Sequence, residues 1–282
     1  MKNSFLLLSF IIPAFVSAAE LQQETLTAWQ RYAEAANVAM QARLQPGHTF
    51  LWADEEQGRR ERLRSGEILV DSVGNKNPKR VPQGLIHDWV GAVYLPNTRI
   101  EDVLAVVRNY DRYKNYYAPS VIDARPIEQS ESKDRFTMRL MNKALFLKMA
   151  LEGEYETSYV PAGKGKCYSI ATAVRLQEVD NFGEANERKL PLNEGSGYIW
   201  RMHSIARYEE ADGGVYVEIE AIALSRDIPA AARWMVDPIV RRVSKSAITT
   251  SLKQTMTAVN SSSQVADNSR ATPSFMVAGF MK

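Results

Sequence analysis

Cysteine is almost missing: the 282 residues hold one, Cys167. A lone thiol excludes a disulfide framework and any cysteine-rich metal site within the chain. Only three histidines are present, and no His-x-x-x-His pair is among them. The chain also lacks a Gly-x-Ser-x-Gly elbow and a phosphate-cradling glycine loop; Gly163-Lys164-Gly165-Lys166 reads as a hairpin turn. No metal and no cofactor are therefore expected. A dominant charge is missing as well. The chain's 35 Lys and Arg balance 33 Asp and Glu to leave +2, so nothing draws the whole molecule to nucleic acid or to an anionic membrane. With 45% hydrophobic residues there is ample material for a buried core, in one large domain or two small ones.

The first residues read as an address. Lys2 precedes an apolar run over residues 6–16, broken by Pro13, with Val16-Ser17-Ala18 or Ser17-Ala18-Ala19 as the small-residue triplet at its end. A positive start, an apolar run and a small-residue cleavage site make the pattern of a secretory signal peptide. The run falls short of the roughly 20 apolar residues that a spanning helix needs. Residues 1–19 are thus expected to be removed, leaving a periplasmic or secreted protein that begins near Ala19 or Glu20.

Beyond the leader, residues 20–44 contain no Gly or Pro. Leu26, Trp29, Ala33, Ala36, Met40 and Leu44 recur at helical spacing, which predicts an amphipathic helix ended by Pro46-Gly47. A strand follows over 68–73. The loop at 74–80 separates this N-terminal extension (20–83) from a main domain over 84–259. That domain opens with a strand over 85–95 and a helix carrying Ile100, Val103, Leu104 and Val107, capped by Asn97 or Thr98. A tyrosine-rich stretch comes next. Strands are then expected near 121–128, 135–141, 145–160, 167–179, 198–210 and 214–226, with a long charged loop at 180–197. A final helix is expected from a cap at Asp237, with Pro238 in its first position, to about residue 259. The Ser-rich segment 260–282 has no pattern and reads as a disordered tail, with an apolar stretch at 275–281.

Side-chain parity sorts the faces of these strands. Tyr198, Trp200, Met202, Ser204, Ala206 and Tyr208 alternate with Arg201, His203, Arg207 and Glu209. In the next strand Val215, Val217, Ile219, Ala221 and Ala223 alternate with Glu218 and Glu220. A two-residue turn at Asp212-Gly213 brings the two apolar sets onto one face and sets Arg207 opposite Glu218. Leu145, Leu147, Met149, Leu151, Tyr155 and Tyr159 oppose Lys148, Glu152, Glu154 and Glu156, while Phe136, Met138 and Leu140 oppose Arg135 and Arg139. The reading is an α+β fold: an antiparallel sheet with one apolar face and one solvated, charged face. The terminal helix, with Val236, Val240, Val243 and Ala247 on one stripe, is the element left to cover the apolar face. A long sheet closed by one helix leaves a hollow. Its expected lining is Met138, Leu140, Met149, Leu151, Tyr155 and Tyr198, continued by Trp200, Met202, Ser204, Ile219, Ala221, Val240 and Val243. The competing reading is that these side chains simply fill a solid core.

The order of elements, together with Pro96-Asn97-Thr98-Arg99-Ile100-Glu101-Asp102-Val103-Leu104, Asn109-Tyr110-Asp111-Arg112-Tyr113, Ala118-Pro119-Ser120-Val121 and Ser225-Arg226-Asp227-Ile228-Pro229, resembles the helix-grip fold of the START-like (SRPBCC) superfamily over residues 84–259. The resemblance implies an apolar ligand, a hydrophobic small molecule or lipid, between sheet and terminal helix. It carries no catalytic set.

Candidate chemistry is sparse. His203 falls on the charged face, as a surface histidine near Glu220. His87 and Asp88 are strand neighbours that point to opposite faces and cannot pair with each other. Tyr113, Tyr116 and Tyr117 could gate the hollow or pack between helix and sheet. Arg241, Arg242, Lys245 and Lys253 offer transient contact with an anionic membrane surface, or a solvated helix face. Three functions follow. The favoured one is an exported carrier of a lipid-like, polyketide or isoprenoid molecule. A cyclase- or hydrolase-type enzyme would need Tyr155, Tyr159 or Ser204 with a neighbouring base. An envelope assembly factor would bind a protein partner through the Leu26-Trp29-Met40 stripe, unless that stripe docks on the protein's own sheet.

Overall fold

The computed structural model describes residues 19–74, 76–144 and 147–271. The body of the leader and the apolar stretch 275–281 lie outside them. The chain begins with β1 (Ala19–Glu20), α1 (Gln23–Ala42), a 3-10 turn at Trp52–Asp54 and α2 (Arg59–Arg64). Strands β2 (Leu69–Ser72), β3 (Lys79–Val81) and β4 (Gly84–Pro96) precede α3 (Ile100–Val107), a 3-10 turn at Tyr110–Arg112 and α4 (Tyr113–Tyr116). Four strands follow: β5 (Val121–Gln129), β6 (Lys133–Ala144), β7 (Leu147–Pro161) and β8 (Lys166–Asp180). The short β9 (Arg188–Lys189) and β10 (Glu194–Gly195), then β11 (Arg201–Ala211) and β12 (Gly214–Arg226), lead into α5 (Ala230–Ala271).

The main sheet runs β2-β4-β12-β11-β8-β7-β6-β5, all antiparallel. A curved sheet gripping a long C-terminal helix is the helix-grip arrangement. The β11–β12 hairpin has the register read from parity: Ala211 pairs with Gly214 and Arg207 with Glu218. Asp212 and Gly213 both take positive φ, 54° and 80°, as the tight turn matching strand twist demands. A bulge at Glu154/Tyr155 between β7 and β8 adds local twist and curves the sheet. The segment before β4 is joined to the same sheet, since β2 and β3 both pair with β4.

The face expected to be solvated is covered. α1 and residues 50–63 lie over it, and every β4 residue except Pro96 is buried. Trp29 packs with Ile86, Ile222 and Leu224; Met40, Leu51 and Leu63 pack with Ala92, Ile205 and Tyr216. The α1 stripe is therefore occupied by the protein's own sheet and is not offered to a partner. The charges on this face are buried as pairs. Arg207 is 1% exposed and reaches Glu218 at 3.1 Å and Glu220 at 3.2 Å. Glu218 also accepts the amides of Trp52 and Ala53, each at 2.8 Å, which clamps the covering segment. His203 is likewise buried, held by Thr172 at 2.9 Å and Asn37 at 2.9 Å. Alternating charge read as solvent; mutual neutralisation let it go inside.

α5 departs from expectation at both ends. It starts at Ala230 with Pro238 inside it, and it continues through Ala271. Ala230-Ala231-Ala232 are strong helix formers, so the helix begins before the Asp237-Pro238 pair and carries the proline within it. Its second half grips the sheet: Ile248, Leu252 and Val259 are buried against Trp89, Val93 and Leu95. Gly91 permits this approach, because a Cβ there would sit 2.6 Å from Ile248 and 2.9 Å from Leu252.

Candidate functional site

The first half of α5 does not grip. Among its described side chains before Ile248, none is buried. Val236, Val240 and Val243 are half-buried and Ala247, on the same stripe, is exposed. The middle of the sheet's inner face is also incompletely covered. Met202 and Ser204 on β11, Ile219, Ala221 and Ala223 on β12, and Ala171 on β8 are all half-buried. These central positions carry mostly Ala and Ser, whose short side chains cannot fill the distance to a helix. Bulk lies at the two ends instead. At one end α3 and the second half of α5 close over Tyr208, Val215 and Val217. At the other, Phe136 stacks between Tyr110 at 4.0 Å and Tyr155 at 5.3 Å. Between these packed ends lies a strip of half-buried, mostly small apolar side chains.

The expected lining divides. Ser204, Ile219, Ala221 and Met202 sit on the uncovered stretch, with Val240 and Val243 on the half-buried side of α5. Leu151 and Tyr155 are buried in the aromatic end wall, against which Met138, Leu140 and Tyr198 pack. The Tyr155 hydroxyl approaches Met202 Sδ at 3.8 Å. Met149 lies outside the described side chains. Trp200 is a correction: it packs with Leu21, Trp29 and Ile222 beneath α1. Parity fails there because β11 begins only at Arg201. The preceding turn is held by the Glu178 carboxylate, which accepts the amides of Ser196 at 2.7 Å, Gly197 at 2.9 Å and Tyr198 at 3.2 Å. Trp200 also lines a cleft of about 430 Å³ between the starts of α1 and α5, whose walls include Arg226 and Asp227.

The tyrosines proposed as a gate act first as fasteners. Tyr117 is buried and its hydroxyl meets Thr255 Oγ1 at 3.0 Å, tying the end of α4 to α5. Burial pushes its phenol up to about 12. Tyr113 lies edge-on to Tyr117 at 4.9 Å and donates to the Val107 carbonyl. Tyr116 is half-buried and packs beside both the α3 core and Tyr117.

One polar constellation escaped the sequence reading. Arg108, just past α3, meets the buried Asp134 on β6 through Nε at 3.0 Å and Nη2 at 2.7 Å. Tyr110 donates to the same carboxylate at 2.8 Å, and Tyr159 lies 3.3 Å from the Tyr110 hydroxyl. Burial raises Tyr159 to about 12 and Tyr110 well above the usual phenol range. The Arg-x-Tyr spacing at 108–110 was visible, but nothing local points from it to Asp134, which arrives from a distant hairpin.

His87 faces the inner side, where its Nε2 lies 2.9 Å from Ser225 Oγ. Burial lowers it to about 4, against the opposing field of Asp237 on α5. The contact with Ser225 ties β4 to β12, and an imidazole of that acidity is a poor general base near pH 7. Asp88 points the other way. Burial and then the Glu220 charge raise it to about 7, and Tyr32 on α1 donates to it at 2.9 Å. Among the described residues no group of three or more His, Cys, Asp or Glu could hold a metal. The half-covered strip is lined by apolar and small side chains.

No family model matches the chain, and no curated protein does. Solved structures similar to it include the STAR-related lipid transfer protein (fragment 25–204) of Xanthomonas axonopodis, at 18% identity and TM-score 0.43, covering 64% of this chain and 96% of that one. Human STARD10 is similar at 9% identity and TM-score 0.44, over 80% of this chain and 87% of that one. The Zhui aromatase/cyclase of Streptomyces sp. R1128 is similar at 6% identity and TM-score 0.42, over 64% and 98%. The likeness is one of chain path.

Proposed function

We propose that this protein is an exported carrier that holds a hydrophobic small molecule, lipid-like, polyketide or isoprenoid, between its sheet and the first half of α5. The observation that carries the reading is the double shortfall of packing. An apolar helix stripe and a small-residue sheet face are both left part-exposed, although each normally gains about 25 cal/mol per Å² when covered. A guest would supply the missing cover. Export rests on the leader pattern of residues 1–19.

Native mass spectrometry of the protein purified from its host, with solvent extraction of the same sample, tests the carrier role. The expected result is a single bound apolar species at up to one per chain. A homogeneous empty protein that also fails to take up a fluorescent fatty acid would end the proposal. N-terminal sequencing of exported material should begin at Ala19 or Glu20; a start at Met1 would remove the export claim alone.

A further inference from the structure

The outward side of the same helix half carries a second feature. Trp234 is 79% exposed, an extreme for the largest apolar side chain. Pro238, Arg241, Arg242 and Lys245 are also exposed. Their spacing of four, seven, eight and eleven residues from Trp234 places all five on one helix face. That face lies opposite Val236, Val240 and Val243. Its charge is one-sided: residues 230–262 hold Arg233, Arg241, Arg242, Lys245 and Lys253 against the single acid Asp237. The rest of the chain nearly balances, so the cations are concentrated here.

We propose that this face docks the protein on an anionic lipid bilayer, with Trp234 entering the headgroup layer and Arg241, Arg242 and Lys245 meeting acidic headgroups. Indole rings settle at the membrane–water boundary, and cations beside such a ring meet the negative surface potential of acidic headgroups. A nucleic-acid site would call for a wider basic surface and gives no reason for a protruding tryptophan at the patch edge. The surface faces away from Val236, Val240 and Val243, so it stands whether or not a guest lies behind them.

Co-sedimentation of the protein with vesicles tests this, comparing equal parts phosphatidylglycerol and phosphatidylcholine with phosphatidylcholine alone. Binding is expected only to the mixed vesicles and is expected to weaken as salt is added. Combining Arg241→Glu with Lys245→Glu should lower the partition coefficient at least tenfold, since each cation near an acidic surface is worth roughly fivefold. The mixed vesicles should shift tryptophan emission to the blue, and Trp234→Phe should abolish the shift while Trp52→Phe keeps it. All substituted positions are solvent-facing or half-buried, and an unchanged urea midpoint confirms that each variant is folded. Equal binding to both vesicle types, an unaltered partition in the charge-reversed variant, or tighter binding to single-stranded DNA than to vesicles would overturn the proposal.

Discussion

His87 and Asp88 are adjacent on β4 and face opposite sides of the sheet, and burial pushes their acidities in opposite directions. His87 drops from 6.5 to about 4. Between those values the unfolded chain binds a proton that the folded one refuses, so this group adds stability as pH rises. At about 1.4 kcal/mol per pH unit the gain is about 3 kcal/mol. Asp88 rises from 3.8 to about 7. Over that range the folded protein keeps a proton that the unfolded chain has lost, so this group removes stability as pH rises. Its full effect is about 4 kcal/mol. The two slopes oppose each other through the window from about pH 4 to 6.5, and wild-type stability should be nearly flat in their joint contribution. Asp88→Asn removes one slope and retains an acceptor for the Tyr32 hydroxyl. Urea unfolding of both proteins, at half-unit steps of pH, measures the consequence. The variant should gain on wild type steadily as pH climbs, by about 4 kcal/mol between pH 4 and pH 8. A difference that stays constant with pH would mean that Asp88 is not a buried acid and that α1 does not seal that face.

Other substitutions probe the rest of the architecture. Arg207→Ala strands Glu218, whose buried carboxyl is already pushed upward by desolvation, and should cost about 3–5 kcal/mol; replacing Arg207 with Met and Glu218 with Leu together should recover much of that loss in the same urea assay. Gly91→Val drives a side chain into Ile248 and Leu252 and should destabilise by about 1–3 kcal/mol, with a loss near zero contradicting the close approach of α5. Phe136→Ala removes the ring between Tyr110 and Tyr155, with an expected cost of about 3–5 kcal/mol and a loss of the near-ultraviolet tyrosine circular dichroism.

Much of the inner face was legible because its signals were local. The Asp212-Gly213 turn chemistry and two independent alternations agreed on one register, and Ala211 does pair with Gly214. The outer face was not, because charge was equated with water. Arg207, Glu218 and His203 are buried, and a charge buried with a partner leaves the same letters in a strand as a charge in solvent. Clues were present all the same. β4 is apolar almost without interruption, the pattern of a strand covered on both sides. Tyr216, Ile222 and Leu224 stand among the glutamates of β12, and α1 had an apolar stripe in need of a surface. Trp200 was misplaced because alternation was carried across a turn whose shape is set by Glu178, a residue from another strand. The Arg108–Asp134–Tyr110 cluster depends on the same kind of distant meeting, which periodicity cannot reach.

Ala221, half-buried on the inner face of β12 opposite Ser204, is the position from which a large side chain would occupy the proposed guest's space beside the first half of α5. Titration of a fluorescent fatty acid into wild type and into Ala221→Trp asks directly whether that space receives a guest. Saturable uptake approaching one probe per chain in wild type, lost in a variant that keeps its urea midpoint, is the predicted outcome. Equal uptake by both proteins, or none by either, would contradict it.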